Sequence, residues 1–270
     1  MKKFLVFVIL AFSITGCIEL NTQININPDG SGTVEETVLM GTEMVKMINE
    51  FMTGFASDTV KQEEFKLYKE EDLKNKVTEM GEGVKFVSGS EIKMENKEGY
   101  KVIYSFSDIN KLKIDQSPDS KIPDDDSEGE IKEKKYVTFN FTKGDVSEVK
   151  IKMPLKNDDE EEEKEENESE TENDSTFEKD LSEMKFFMKD LSISISVNVN
   201  GEITETNALH REGTTVTLFS LNFGELLNNT EKLKELSKIN PNDIQELNEV
   251  VKDIPGVKID INDPVVIKFR

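Results

Sequence analysis

The stretch Ile18–Met40, IELNTQININPDGSGTVEETVLM, decides the fold. Ile18, Leu20, Thr22, Ile24 and Ile26 alternate with Glu19, Asn21, Gln23 and Asn25, the period of a strand with one face buried. Asn27-Pro28-Asp29-Gly30-Ser31-Gly32 is dense in turn residues, and Val34, Val38 and Met40 then resume the alternate spacing. This is a β-hairpin, and its single apolar face requires cover.

What lies on either side supplies the context. Upstream, Met1-Lys2-Lys3 and the apolar run Phe4–Phe12 precede Ile14-Thr15-Gly16-Cys17. The run is far shorter than the ~20 residues of a spanning helix, so residues 1–16 read as a signal peptide. Its end on Cys17 resembles the lipobox of bacterial lipoproteins. That resemblance implies that Cys17 carries diacylglycerol and an N-acyl chain and becomes the first mature residue. Downstream, Met44, Met47, Ile48, Phe51, Met52 and Phe55 recur at helical spacing, with Thr42 as a cap. The bland reading makes them the cover for the hairpin; the sharper one makes them a face for an apolar ligand, because Met repacks readily.

Further elements follow in order. A helix is expected over Glu70–Met80, stopped by Gly81 and Gly83. Two strands, with Val84, Phe86, Ile92 and Met94 sharing one parity, and Tyr100, Val102, Tyr104 and Phe106 the apolar face of the second, flank a turn at Asn96–Gly99. Gln116–Lys135 reads as a polar loop, and a hairpin over Tyr136–Met153 turns at Lys143-Gly144-Asp145. Leu191–Val199 alternates cleanly, and Asn200-Gly201 predicts a tight hairpin into Ile203–Thr206. A strand over Thr215–Leu221, helices over Phe177–Lys189, Glu225–Leu236 and Asn242–Val251, and a strand through Val265, Ile267 and Phe269 complete the pattern. Residues 156–176 interrupt it: Asp158–Glu172 holds eleven acids and one lysine, with no apolar residue, and is expected to be a disordered spacer, the alternative being a site for calcium or a cationic partner. The expected domains are therefore residues 17–155 and 177–270 as two parts of one α+β fold, a mainly antiparallel sheet with helices packed on one face.

Composition narrows the function classes. The net charge of −22 becomes −24 when Lys2 and Lys3 are removed, a surface that repels nucleic acid and anionic lipid headgroups alike. Attachment to a membrane then depends on acyl chains. Cys17 is the only cysteine and His210 the only histidine. Disulfides and imidazole-based zinc sites are excluded. His210 lies in a polar loop with no Gly-x-Ser-x-Gly elbow to serve. Asp124–Gly129 opens like a calcium loop, but the position needing a bidentate Glu is Lys135.

Two motifs carry a wider resemblance. Cys17 with its alternating strand and Asp29-Gly30-Ser31-Gly32 resembles the opening of uncharacterised bacterial lipoproteins. Asn200–Ala208 followed by Gly213-Thr214-Thr215-Val216-Thr217 is similar to the late hairpin of LppM-like lipoproteins, with Ala208 in place of the commoner Gly and Leu218 where an aromatic is frequent. The resemblance implies a small α+β domain with early and late strands in one sheet, anchored in the cell envelope and without a known enzymatic site. The expected function is a membrane-anchored, extracytoplasmic binding or assembly module, not an enzyme, with no metal and no cofactor beyond the lipid on Cys17. The alternative is a carrier for a lipid or other apolar ligand, held between the sheet and the Met/Phe helix. Because the strand starts at Ile18, the domain is expected to stand upright on the bilayer, with few carboxylates at the end nearest it.

Overall fold

The computed structural model describes residues 18–55, 64–115, 136–154, 191–236, 238–239 and 244–270. The side chains of residues 53–55 are outside this set. So are the lipobox, the polar loop at 116–135, the acidic stretch at 156–176 and the helix expected at 177–189.

The quoted stretch forms β1 (Ile18–Ile26) and β2 (Gly32–Gly41), paired from Ile18–Met40 to Ile26–Gly32. The turn between them is fixed by Asp29, whose carboxylate accepts from the Ser31 amide (3.0 Å) and hydroxyl (2.7 Å). Gly30 takes φ +86°, which a side chain rarely adopts. Helix α1 (Thr42–Phe55) leaves β2 directly. After α2 (Glu70–Asn75) and a 3-10 turn (Lys76–Thr78) come β3 (Lys85–Lys93) and β4 (Lys97–Phe106). A second 3-10 turn (Ile109–Lys111) leads to β5 (Lys113–Asp115), then β6 (Tyr136–Thr142) and β7 (Ser147–Lys152). The last part holds β8 (Leu191–Val199), β9 (Ile203–Thr206), β10 (Arg211–Glu212) and β11 (Thr215–Asn222). Helices α3 (Phe223–Asn228), α4 (Thr230–Leu236) and α5 (Ile244–Val251) follow, then β12 (Lys258–Ile259) and β13 (Val265–Phe269).

The fold is α+β and mainly antiparallel, but the strands divide into two sheets. One runs β10-β11-β8-β1-β2-β4-β3, with β12 on β11; the other runs β5-β6-β7-β13-β9. The early and late parts meet in the first sheet, where β1 and β8 pair in parallel from Ile18–Leu191 to Ile26–Val199. Both sheets bury their apolar faces in one cluster, including Ile24, Val34 and Val197 from the first and Val149, Ile267 and Phe269 from the second. Full burial of each such side chain contributes about 1.5–3 kcal/mol.

Four local expectations are corrected. The Asn200-Gly201 hairpin does not form, because β8 already has β1 on one edge and β11 on the other. Gly201 lacks the positive φ a tight hairpin turn requires, and the chain instead crosses to the second sheet, where β9 pairs with β13. In β3 a bulge at Val87 breaks the parity. Phe86 pairs inward with Tyr104, but Gly89 and Glu91 then oppose Val102 and Tyr100, which puts Ile92 on the other face. Gly99 belongs to β4 and not to the turn, packed so closely on Val38 that a Cβ would strike its carbonyl. The helix expected over Glu225–Leu236 is two helices, because the Asn229 side chain accepts from Lys232 N (3.2 Å) and starts the second.

Candidate functional site

The strand register sets the two ends of the larger sheet. At the near end, one row crosses Leu191, Ile18, Met40, Glu98 and Lys93. Gly41 and Lys97 lie one row further out. The β3–β4 turn lies beyond them, closed by Met94 N to Lys97 O (2.8 Å). The Asn96 carbonyl of this turn accepts from Thr42 N (3.1 Å), so the start of α1 is seated on it.

Among the described residues, helix α1 is packed chiefly along one flank. Val45, which the sequence reading passed over, is its most buried residue; Met44 and Ile48 pack partly on the core, and Met52 is half-buried. Met47 is 42% exposed and Phe51 67% exposed. The single inward face expected of Met44, Met47, Ile48, Phe51, Met52 and Phe55 is thus split. At 3.6 residues per turn Met47 and Phe51 sit more than about 100° round the helix from Val45, beyond what the end of the sheet can cover. Phe55 has no described side chain. Asn49 fixes the helix laterally, its carboxamide oxygen accepting from Phe65 N (2.8 Å).

Between α1 and the near ends of β3 and β4 lies an open groove of about 390 Å³. Val45, Asn49, Phe65 and Leu67 form its floor side, and Glu64, Lys66, Glu91, Lys93 and Glu98 bring charge to it. The near end also departs from the expectation of few carboxylates. Glu19, Glu43 and Glu91 are there, ion-paired with Lys97, Lys46 (2.6 Å) and Lys93 (3.0 Å).

Other polar groups are built into the frame. Glu36, 1% exposed, takes the Lys76 ammonium at 2.9 Å and ties β2 to the 3-10 turn. Burial, and then the Glu36 charge, push the Tyr100 and Tyr104 phenols far above their usual range. The space beside this pair is about 10 Å³, no more than one water needs. The His210 ring, half-buried, places Nε2 3.3 Å from the Ile259 carbonyl. Next to it the fully buried Asp260 accepts from Leu209 N (2.9 Å), Asn262 N (3.1 Å) and Asn262 Nδ2 (2.8 Å). The Asp-x-Asn spacing was the available signal for that loop clamp. Among the described residues no group of three His, Cys, Asp or Glu is placed to hold a metal ion, and no helix is long and apolar enough to cross a membrane.

No protein-family model matches this chain, and no curated protein sequence does. Among solved structures it is similar to the NMR structure of the folded domain of LppM from Mycobacterium tuberculosis. The match covers 96% of this chain and 94% of that one, at 11% identity and a TM-score of 0.34. The likeness is partial. The motifs at Asn200–Ala208 and Gly213–Thr217 fall on β9 and β11, which lie in different sheets.

Proposed function

We propose that this chain is a lipid-anchored, non-enzymatic binding or assembly module of the bacterial cell envelope, held on the extracytoplasmic side by acyl chains on Cys17. One junction carries the reading. The lipobox ends at Cys17, and the next residue, Ile18, already pairs with Met40 on one side and Leu191 on the other. A lipid there fixes the body of the domain beside the membrane without a tether. Cys17→Ser is the test. We expect the variant to leave the membrane fraction or to persist as uncleaved precursor, with no acylated N-terminal peptide by mass spectrometry. Full membrane retention of a processed, unacylated Cys17→Ser chain would defeat the reading.

The second reading, a carrier for a lipid or other apolar ligand, draws on the groove beside α1. The charges of Glu64, Lys66, Glu91 and Lys93 around it weigh against a bare acyl chain. Lipid that stays bound to the purified chain at one molecule per protein, and is lost with Val45→Asp, would favour the carrier.

A further inference from the structure

We propose that the exposed apolar side chains of the near end, Met47 and Phe51 on α1 and Met94 on the β3–β4 turn, seat in the headgroup–acyl boundary of the bilayer that holds Cys17. The inference rests on the anchoring proposed above and adds a second, non-covalent membrane contact. Three observations join these residues to the lipid. The first is chain length: Cys17 is one residue from Ile18, and consecutive Cα atoms are 3.8 Å apart. The acylated residue therefore cannot leave the near end.

The second is register. Met94 sits in the turn beyond the row that contains Ile18, and it is 55% exposed. The turn extends outward past that row, the row in which β1 begins. The third is the course of α1. It starts on Asn96, and as far along as Asn49 it still faces Lys93, Glu98 and Gly99, which belong to the outermost rows of the sheet. The stripe of Met47 and Phe51 is thus kept at the level of the anchor.

The chemistry selects an uncharged or zwitterionic surface. A helix with one apolar flank lies in the interface with that flank buried about 5–10 Å deep. Glu43 and Glu50 border Met47 on the helix, four residues before it and three after, with Glu43 paired to Lys46 (2.6 Å), so this edge of the stripe lies at the level of the polar headgroups. The acidic chain gains nothing from anionic headgroups. Met94 and the α1 stripe would convert a domain swivelling on its acyl chains into one held at a fixed tilt.

The chain contains no tryptophan, so a single Trp reports on its own site. The acylated full chain, purified from membranes, is reconstituted into phosphatidylcholine vesicles containing brominated phosphatidylcholine. It carries either Phe51→Trp or Val146→Trp. Val146 is 44% exposed and adjoins Ser147, whose hydroxyl donates to Pro28 O (3.0 Å) at the opposite end of β1, so it is the matched control. We expect the bromines to quench most of the emission of the Trp at 51 and leave that of the Trp at 146 intact. Met47→Glu and Met94→Glu placed in the Phe51→Trp chain should each restore much of the emission.

Flotation with the vesicles but no quenching at 51 would overturn the seating while the anchoring stands. A blue-shifted but unquenched Trp at 51 would mean that a second copy or another protein covers the stripe, and overturns it equally. Failure of the chain with native Cys17 to float would reject the anchoring and the seating together.

Discussion

The two ends of β1 are built to different standards. At the far end the Pro28–Gly32 turn exposes Pro28 and Asp29 but is tied to neighbouring chain at several points, with Gly30 and Gly32 buried. The Gly30 carbonyl accepts from Ile109 N (3.0 Å), Asn200 Nδ2 reaches Asn27 Oδ1 (2.6 Å), and a Cβ on Gly30 would meet the Phe141 ring at 2.7 Å. Phe106, Ile109, Val199 and Phe269 close the core there. At the near end Ile18 and Leu191 are half-buried, α1 is held chiefly through Val45 and Asn49, and the large apolar groups face out. Among the described residues, hydrophobic burial is complete where the two sheets meet and incomplete at the end where β1 begins. A domain that stood alone in water would gain from covering both ends. Under the anchoring proposed above, the membrane would supply the cover that this end lacks.

The contrast can be broken at its strong end first. Phe106→Ala removes a ring from the far core, and a loss of about 3–5 kcal/mol is expected. In a chain of this size that is a melting temperature lower by roughly 10 °C, read by calorimetry. A shift of only a degree or two would mean that the far end is not the better packed of the two.

The interior between the ends is probed by alkali. Tyr100 and Tyr104 are held neutral by burial, with Glu36 adding to the effect, and both phenols lie well above the usual 10.0. A folded pKa raised above the unfolded one contributes stability that is fully present below about pH 10 and lost as pH rises beyond it. Urea midpoints should therefore fall above pH 10, each phenol contributing up to about 1.4 kcal/mol per pH unit. Tyr100→Phe should make that fall shallower. An identical slope in the variant would show that Tyr100 ionises as freely in the folded chain as in the unfolded.

The smallest effect is expected at the near end. Met47→Gln changes an exposed position and should alter stability in solution by less than about 0.5 kcal/mol, measured by the same urea titration. A loss of 2 kcal/mol or more would place Met47 in the core and dissolve the contrast between the ends.

Much of this was legible in the residues. The alternation of β1, β2, β4 and β8 is so regular that it marks the inward residues without any topology, and Tyr100, Val102, Tyr104 and Phe106 are all buried. Periodicity does not state which strand lies beside which. Asn200-Gly201 carries a strong local signal for a hairpin, yet the parallel pairing of β8 with β1 takes up the edge that hairpin would use. The bulge at Val87 has no marker in the sequence, because one added residue is invisible until the partner strand is fixed. Helix α1 was legible as apolar and helical. Its division into a covered flank with Val45 and an exposed one with Met47 and Phe51 depends on where the sheet ends, which is a property of the register.

The pairing of β1 with β8 spans 173 positions, through contacts such as Ser194 Oγ to Asn21 Oδ1 (2.9 Å) and Asn198 Nδ2 to Asn25 Oδ1 (3.1 Å). This sets an order of assembly. A chain emerging N-terminus first can close the β1–β2 hairpin at once, since its two strands are adjacent in sequence. The other edge of β1 must wait until residues 191–199 have been delivered. Contacts of such long span form late and slow folding. Through that interval β1 presents a row of open backbone donors and acceptors, the kind of edge on which foreign strands add. The time taken to deliver residue 199, more than the stability of the finished sheet, governs how long that edge is exposed.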